Sequence, residues 1–212
     1  MVERTIATTT HGRYLRVPTA DGGPAPLLVG FHGYGESADT HLARMQAIAG
    51  AARWNIVSVQ GLHRFYDRRS QTVIASWMTR QDRELAIADN LAYIAAIVDA
   101  EAGATRAAYA GFSQGVAMAF RAAAASVHPV AGVIAVGGDI PPELDAAALA
   151  RLGRVLLLRG ARDDWYTTEK FAADQRRLRD AGVALTAVEF DGGHEWNDPV
   201  LAAAADFLQP LT

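Results

Sequence analysis

One serine in this 212-residue sequence stands between two glycines in a pattern that suits a nucleophile. Gly111, Ser113 and Gly115 follow the small-residue run 106–110 and precede an apolar stretch with helical spacing. A serine at the tip of such a strand-to-helix turn brings the neighbouring backbone so close that the two flanking positions have room only for glycine. Its hydroxyl then projects into a cleft in front of the helix start. We therefore predict that Ser113 attacks a carbonyl carbon.

A serine nucleophile needs a base, and His194 is the best-placed histidine. Only His128 and His194 follow Ser113 in the chain. A triad at the carboxyl ends of parallel strands runs in the order serine, acid, histidine. His128 ends the helix that the serine begins and precedes a proline, so it does not fold back easily. His194 lies in a glycine-rich loop just after the last predicted strand, and we predict it as the base.

A carboxylate must orient that histidine, and three aspartates follow predicted strands. Asp163 is the first choice, because it follows a strand-ending glycine close to the point where the loop of His194 must emerge. Asp164 is the second choice and Asp139 the third. The alternative is that one member of the Asp163–Asp164 pair caps the following helix, which is compatible with a catalytic role of the other.

Two backbone N–H groups are expected to bind the oxyanion of a tetrahedral intermediate. The first belongs to Gln114, which follows the nucleophile at a helix start. The second belongs to Tyr34 in the His-Gly-Tyr-Gly loop after an apolar strand, where glycines let this N–H turn toward the cleft. His32, at the start of that loop, is predicted to hold the loop by hydrogen bonds.

Aromatic side chains in the loops near these strand ends predict a pocket for small to medium acyl or alcohol groups. The predicted substrate-binding residues are Phe65, Trp77, Trp165 and Trp196. Packing within the loops is the alternative for each of them. The arginines of the long loop 61–81, Arg80 among them, are interpreted as solvated charge rather than as contacts to an anionic substrate.

The composition argues against several other functions. The chain has no cysteine, which excludes disulfides, thiolate metal sites and cysteine nucleophiles. A net charge of -3 offers no basic surface for nucleic acid or an anionic membrane. No apolar stretch reaches the roughly 18 residues of a membrane span, and the amino terminus lacks the apolar run of a signal peptide. We expect a cytoplasmic protein without stable membrane insertion; a homodimer is left open.

Predicted strands alternate with helical stretches along the chain. The strands cover residues 27–31, 55–59, 106–110, 132–136, 155–158 and 183–190. Such βαβ units predict a single α/β domain over residues 1–212, with a mainly parallel central sheet between two layers of helices and no large lid domain. Runs 5–9 and 13–17 are predicted to form a hairpin. The helix that begins after Asp82 is expected to stop at Gly103.

Taken together, four motifs resemble the α/β-hydrolase superfamily over essentially the whole chain. They are Gly-Phe-Ser-Gln-Gly, His-Gly-Tyr-Gly, Gly-x-x-Asp and Gly-Gly-His. Within it, the chain looks like the small phospholipase/carboxylesterase branch, which includes acyl-protein thioesterase-like and dienelactone-hydrolase-like enzymes. This resemblance implies a serine hydrolase without metal or cofactor, with Ser113, Asp163 and His194 as its triad. Dienelactone hydrolases use a cysteine nucleophile, so the serine argues against that activity.

The resemblance implies cleavage of a small-molecule carboxylic ester through an acyl-enzyme intermediate. The alternatives are an acyl thioesterase or lysophospholipase, a lyase or perhydrolase with the same residues, and a non-catalytic ligand sensor on the same fold. Trp165 and Tyr166 stand where aliphatic residues are expected in this branch. The shape of the acyl pocket, and with it the substrate, therefore stays open at this point.

Overall fold

A computed structural model describes residues 1–20, 22–101 and 106–211 of the chain. These residues form nine strands and six α-helices. The strands are β1 (Tyr14–Val17), β2 (Leu27–Phe31), β3 (Asn55–Val59), β4 (His63–Tyr66), β5 (Val73–Ser76), β6 (Ala107–Phe112), β7 (Val130–Val136), β8 (Arg154–Gly160) and β9 (Ala184–Phe190). The helices are α1 (Ala38–Gln46), α2 (Arg83–Glu101), α3 (Gln114–Ala125), α4 (Ala146–Ala150), α5 (Thr168–Asp180) and α6 (Asp198–Leu208).

Seven of the strands form one mainly parallel sheet in the order β1-β3-β2-β6-β7-β8-β9. Only β1 runs antiparallel to its neighbour within this sheet, while β4 and β5 pair with each other as a separate hairpin. The parallel strands all end at the same edge, so the loops after β2, β6, β7, β8 and β9 meet there. The predicted mainly parallel α/β sheet is confirmed.

The core lies on both faces of this sheet because successive strand residues point to opposite sides. In β2, the side chain of Val29 packs into the core cluster under α2, α3 and α5, whereas Leu28 packs into the cluster under α1 and α6. Met45 of α1 and Phe207 of α6 belong to the second cluster. Burying each aliphatic or aromatic side chain of this kind stabilises the fold by about 1.5–3 kcal/mol. The predicted helix layers on both faces are therefore confirmed.

Two local predictions are wrong. Residues 5–9 form no strand, and β1 pairs with β3 instead of forming an amino-terminal hairpin. An isolated hairpin is marginally stable in water, whereas the buried strand β3 offers β1 a complete ladder. The loop predicted for 61–81 contains the β4–β5 hairpin.

The helix stop predicted at Gly103 lies outside the described residues. Throughout the described ranges, no helix is both long and apolar enough to cross a membrane.

Candidate active site

Ser113 occupies a tight turn between β6 and α3. Its φ of 52° is unusual for a residue with a side chain and is held by the close packing around it. A Cβ at Gly115 would lie 2.1 Å from the carbonyl oxygen of Phe31, and one at Gly111 would lie 2.5 Å from that of Gly115. Neither position can hold a larger residue without moving the backbone. The turn thus projects the Ser113 hydroxyl beyond the sheet edge.

Three predicted side chains meet in a continuous chain of hydrogen bonds. The Nε2 atom of His194 lies 2.8 Å from Ser113 Oγ. Its Nδ1 atom lies 2.8 Å from Asp163 Oδ2. With the proton on Nδ1, the ring donates to the carboxylate and leaves Nε2 free to accept the serine proton. This arrangement can activate the hydroxyl for attack and stabilise the imidazolium that forms.

The Asp163 carboxylate is 3% exposed and is held from two sides. While Oδ2 faces His194, Oδ1 accepts hydrogen bonds from the backbone N–H groups of Trp165 and Tyr166, both at 2.9 Å. Asp164 points to solvent instead. Neither aspartate caps α5, because Thr167 does so by accepting from the N–H of Lys170. The alternative role of this pair as helix cap is therefore not observed.

Asp139, the third choice for the acid, lies elsewhere in the cleft. It is about half exposed, and its carboxylate pairs with the Nζ atom of Lys170 at 3.0 Å. His128 also lies away from the serine and pairs with Asp99 at 2.7 Å. Of the candidate acids and bases, the structure brings Asp163 and His194 to Ser113.

Backbone contacts join the loops that carry the acid and the histidine. The backbone of Gly160 packs so closely against Gly193, the residue before His194, that a Cβ at Gly160 would lie 2.1 Å from the carbonyl oxygen of Gly193. The buried Arg159 donates from Nε to the carbonyl oxygen of Tyr166 at 2.7 Å and pairs through Nη1 with Glu189. This arginine ties the loop of Asp163 to the adjacent strand β9.

The His-Gly-Tyr-Gly loop is built so that one N–H group stays available. The N–H of Gly33 donates to Glu36 Oε2 at 2.8 Å, and that of Gly35 donates to the carbonyl oxygen of Ala75 at 3.0 Å. The N–H of Tyr34 has no hydrogen-bond acceptor within the part of the chain that the structure describes. It can therefore donate to an oxyanion.

His32 and Glu36 orient the peptide group that carries this N–H. The carbonyl oxygen of Gly33 accepts from His32 Nδ1 at 2.7 Å and from the N–H of Glu36 at 3.2 Å. Because the C=O and N–H of a trans peptide point in opposite directions, anchoring the carbonyl of Gly33 aims the N–H of Tyr34 the other way. His32 Nε2 accepts from the N–H of Gly61, and burial lowers the pKa of this ring, which keeps it neutral. The predicted loop-holding role of His32 is confirmed.

Gln114 begins α3 and also anchors a neighbouring segment. Its backbone N–H lies at the first position of the helix, where no acceptor one turn earlier is present. Its side-chain Oε1 accepts from the N–H of Trp77 at 3.0 Å, and its Nε2 donates to the carbonyl oxygen of Met78 at 2.9 Å. Among the described residues its N–H has no acceptor, so Gln114 offers a donor beside Ser113 while its side chain fixes one wall of the cleft.

A cleft of about 680 Å³ opens beside Ser113, within the size range of small-molecule sites. Trp165, predicted to contact substrate, lines this cleft and is 76% exposed at its rim. The apolar part of the lining comes from Met78, Ala117, Ile140, Pro141, Pro142 and Ala173. The cleft can hold an acyl or alcohol group of modest size.

The other three predicted aromatic residues do not line this cleft. Trp77 is fully buried, stacks on His32 and donates from Nε1 to the carbonyl oxygen of His32 at 2.8 Å. Its predicted substrate contact is therefore wrong, since the indole has no free surface. Phe65 lies against the ring of Tyr34, and Trp196 packs edge-on against Phe112 and His41.

Four cationic side chains of the cleft were not singled out from the sequence. Besides Arg80, the lining includes Arg83, Arg121, Lys170 and Arg177. Arg121 had a usable signal, because it follows Ser113 by eight residues and so lies on the same face of the helix.

Across the described residues, no group of three His, Asp or Glu side chains could hold a metal ion.

Comparison with known proteins places this geometry in a family. Residues 13–212 match the family model described as phospholipase/carboxylesterase. Among solved structures, esterase PE8 is 22% identical, with a TM-score of 0.75 and coverage of 96% of this chain and 100% of that one. Acyl-protein thioesterase 2 of Zea mays is 16% identical (TM-score 0.73, coverage 94% and 99%).

A carboxylesterase from Mesorhizobium loti is 20% identical, with a TM-score of 0.72 and coverage of 93% of this chain and 94% of that one. No match is found among curated protein sequences. At these identities, the structural similarities support the α/β-hydrolase fold and carry nothing about the substrate.

Proposed function

Because the chain belongs to the phospholipase/carboxylesterase family, a family of carboxylic ester hydrolases, we propose that it cleaves esters through an acyl-enzyme on Ser113. The observation that carries this proposal is the hydrogen-bond chain from Ser113 Oγ through His194 to Asp163, at 2.8 Å in each step. Nucleophile, base and orienting acid are all present on one sheet edge beside a cleft.

In the first half of the proposed reaction, Ser113 Oγ attacks the ester carbonyl carbon as its proton passes to His194 Nε2. The carbonyl oxygen becomes an oxyanion and accepts hydrogen bonds from the N–H groups of Tyr34 and Gln114. The C–O bond to the alcohol then breaks, and the alcohol leaves with the proton from His194. The acyl group remains bound to Ser113.

In the second half, a water molecule attacks the acyl carbon and gives its proton to His194. The second tetrahedral intermediate uses the same two N–H donors. The bond to Ser113 Oγ breaks, the serine regains the proton, and the carboxylic acid departs. Asp163 keeps the proton of the imidazole on Nδ1 throughout and stabilises the imidazolium.

A thioester would pass through the same steps with a thiol in place of the alcohol as leaving group. A lysophospholipid would do so as well, with a phosphate-bearing glycerol as its alcohol. Turnover of chromogenic esters and acyl thioesters of increasing chain length tests the proposal. Hydrolysis of at least one series supports it, and the ratio between matched esters and thioesters separates the two activities. No turnover of any member would favour the ligand sensor.

The proposed partner is a small-molecule ester. The cytoplasmic location and the lack of nucleic-acid partners stay predictions from the sequence, and the homodimer stays open.

A further inference from the structure

The wall of the cleft formed by the start of α2 and by α3 carries more positive than negative charge. Arg80 and Arg83 line the cleft there, and both are exposed. Neither has a hydrogen-bond or ion-pair partner in the described ranges 1–20, 22–101 and 106–211. Arg121 of α3 is the third cation of this wall. Arg121 pairs with Glu143, and among the described residues that line the cleft, this wall contributes no Asp or Glu.

Arg121 is the most constrained of the three. It is only 4% exposed, although it borders the cleft. Its Nε atom donates to Glu143 Oε1 at 2.6 Å, and its Nη1 atom lies 3.9 Å from the sulfur of Met78. A guanidinium has five N–H donors, and the described residues provide no oxygen acceptor for the Nη1–Nη2 edge. A largely buried cation that lines a cleft and has N–H groups without an oxygen acceptor is suited to bind an anionic oxygen group.

The opposite wall of the cleft has no comparable excess of positive charge. Lys170 of α5 pairs with Asp139 at 3.0 Å. Arg177, about two turns further along the same helix, lies 3.6 Å from Asp174 and donates to backbone carbonyl oxygens. Each cation there has its own carboxylate. The uncompensated positive charge therefore lies on one side of the cleft.

An apolar stretch separates this charge from the nucleophile. Ser113, Ala117 and Arg121 follow one another at four-residue spacing, so they share one face of α3 over about 12 Å. Ala117 and Met78 line the cleft along this path. A ligand that reaches from Ser113 to Arg121 would lay an apolar segment between its two polar ends.

We propose that this protein's substrates are esters that carry an anionic oxygen group, carboxylate or phosphate-like, remote from the scissile bond, and that Arg80, Arg83 and Arg121 bind that group. This inference rests on the proposed function, because it places the ester carbonyl at Ser113. It replaces the interpretation of Arg80 as solvated loop charge: in the folded chain Arg80 lines the same cleft as the nucleophile.

Matched substrates test the proposal. The anionic set consists of 4-nitrophenyl monoesters of glutaric, adipic and pimelic acid, together with the corresponding ω-phosphono esters. The neutral set replaces the terminal group by an isopropyl group of similar shape. We expect kcat/KM for at least one anionic ester to exceed that of its neutral partner by about tenfold at low salt, the size expected for two partly exposed charge-assisted contacts.

The terminal group that yields the larger ratio identifies the preferred anion. The advantage should shrink as salt is raised, because screening weakens exposed charges most.

The variant Arg80→Gln/Arg83→Gln should lower the anionic-to-neutral ratio by most of that factor. Its matched control is Arg68→Gln/Arg69→Gln, which removes the same charge from two exposed residues of the β4–β5 turn and should leave the ratio as it is. Because all four arginines are exposed, we expect both double variants to fold like the wild type. A ratio of one or less at every chain length, or an equal ratio in the wild type and the Arg80→Gln/Arg83→Gln variant, would overturn the proposal.

Failure of this inference and failure of the proposed function look different. Neutral esters that are hydrolysed without any anionic preference would leave the esterase intact and overturn only the anion subsite. If neither set is hydrolysed, the esterase itself is refuted and the subsite with it.

Discussion

The two oxygens of Asp163 are committed to different partners: Oδ2 lies 2.8 Å from His194 Nδ1, and Oδ1 accepts from two backbone N–H groups. This division leaves the carboxylate a single orientation. It also explains how a residue 3% exposed keeps its acceptors satisfied in a loop. The orientation of the imidazole is thus determined by the backbone of Trp165 and Tyr166 as much as by the carboxylate.

Asp163→Asn should nearly abolish turnover without unfolding the protein. The two backbone N–H groups would hold the amide oxygen, so the NH₂ group would face His194 Nδ1. The ring would then carry its proton on Nε2, where it cannot accept the serine proton. We expect kcat to fall by about 10⁴-fold, as measured with a chromogenic ester. Asp164→Asn is the matched control and should keep kcat within about twofold, because Asp164 is exposed and lacks these contacts. Equal losses in both variants would contradict Asp163 as the acid.

Glu36→Gln should lower kcat more than it changes KM. The Glu36 carboxylate accepts the N–H of Gly33 and pairs with Arg44, whose guanidinium lies over the ring of Phe112. Loosening this loop misaims the N–H of Tyr34, which matters most when the oxyanion forms. We expect a loss of about tenfold in kcat, smaller than the roughly 10²–10³-fold cost of removing an oxyanion donor outright.

Asp39→Asn provides the control for this loop. It breaks the pair between Asp39 and Arg13, which is largely exposed, and should leave kcat and stability unchanged. A Glu36→Gln variant with wild-type kcat would show that the carboxylate does not position the oxyanion loop.

Stability should fall in acid partly through His41. Burial, with a smaller contribution from Arg44, lowers the pKa of this ring to about 3, whereas an unfolded histidine titrates near 6.5. Between these values the unfolded chain binds a proton that the folded chain does not, so falling pH favours unfolding by up to about 1.4 kcal/mol per unit. Urea unfolding between pH 7 and 4 measures the slope.

His41→Gln should make this slope shallower, and some slope should remain because burial also lowers the pKa of His32. His63→Gln removes an exposed histidine and should leave the slope as it is. An unchanged slope in His41→Gln would argue against a neutral, buried ring.

Local rules were enough to predict much of the fold from the sequence. Strands β2 and β3 match their predicted ranges to the residue, because continuous apolar runs between turn residues are typical of strands covered on both faces. The serine turn was predictable because its steric demand acts on immediate neighbours. The meeting of Ser113 with His194 follows from parallel strands that end at one edge.

Long-range packing accounts for what the sequence did not predict. Trp77 looked like a pocket residue, yet its indole is enclosed by His32 and Phe31, two residues more than 40 positions away in the chain. Thr167 caps α5 because the helix begins at Thr168, so Asp163 and Asp164 lie too far upstream to be its N-cap. The helical spacing between Ser113 and Arg121 was a usable signal that we did not apply, whereas the burial of Arg121 and its pairing with Glu143 depend on the packed structure.

Labelling with a fluorophosphonate probe tests the central claim most directly. The probe reacts only with a serine whose hydroxyl is activated, so intact-mass and peptide mass spectrometry report both the extent and the position of the adduct. The account predicts one adduct on Ser113, lost in Ser113→Ala, and strongly slowed in Asp163→Asn. A folded protein that forms no adduct, or one labelled at another serine, would contradict it.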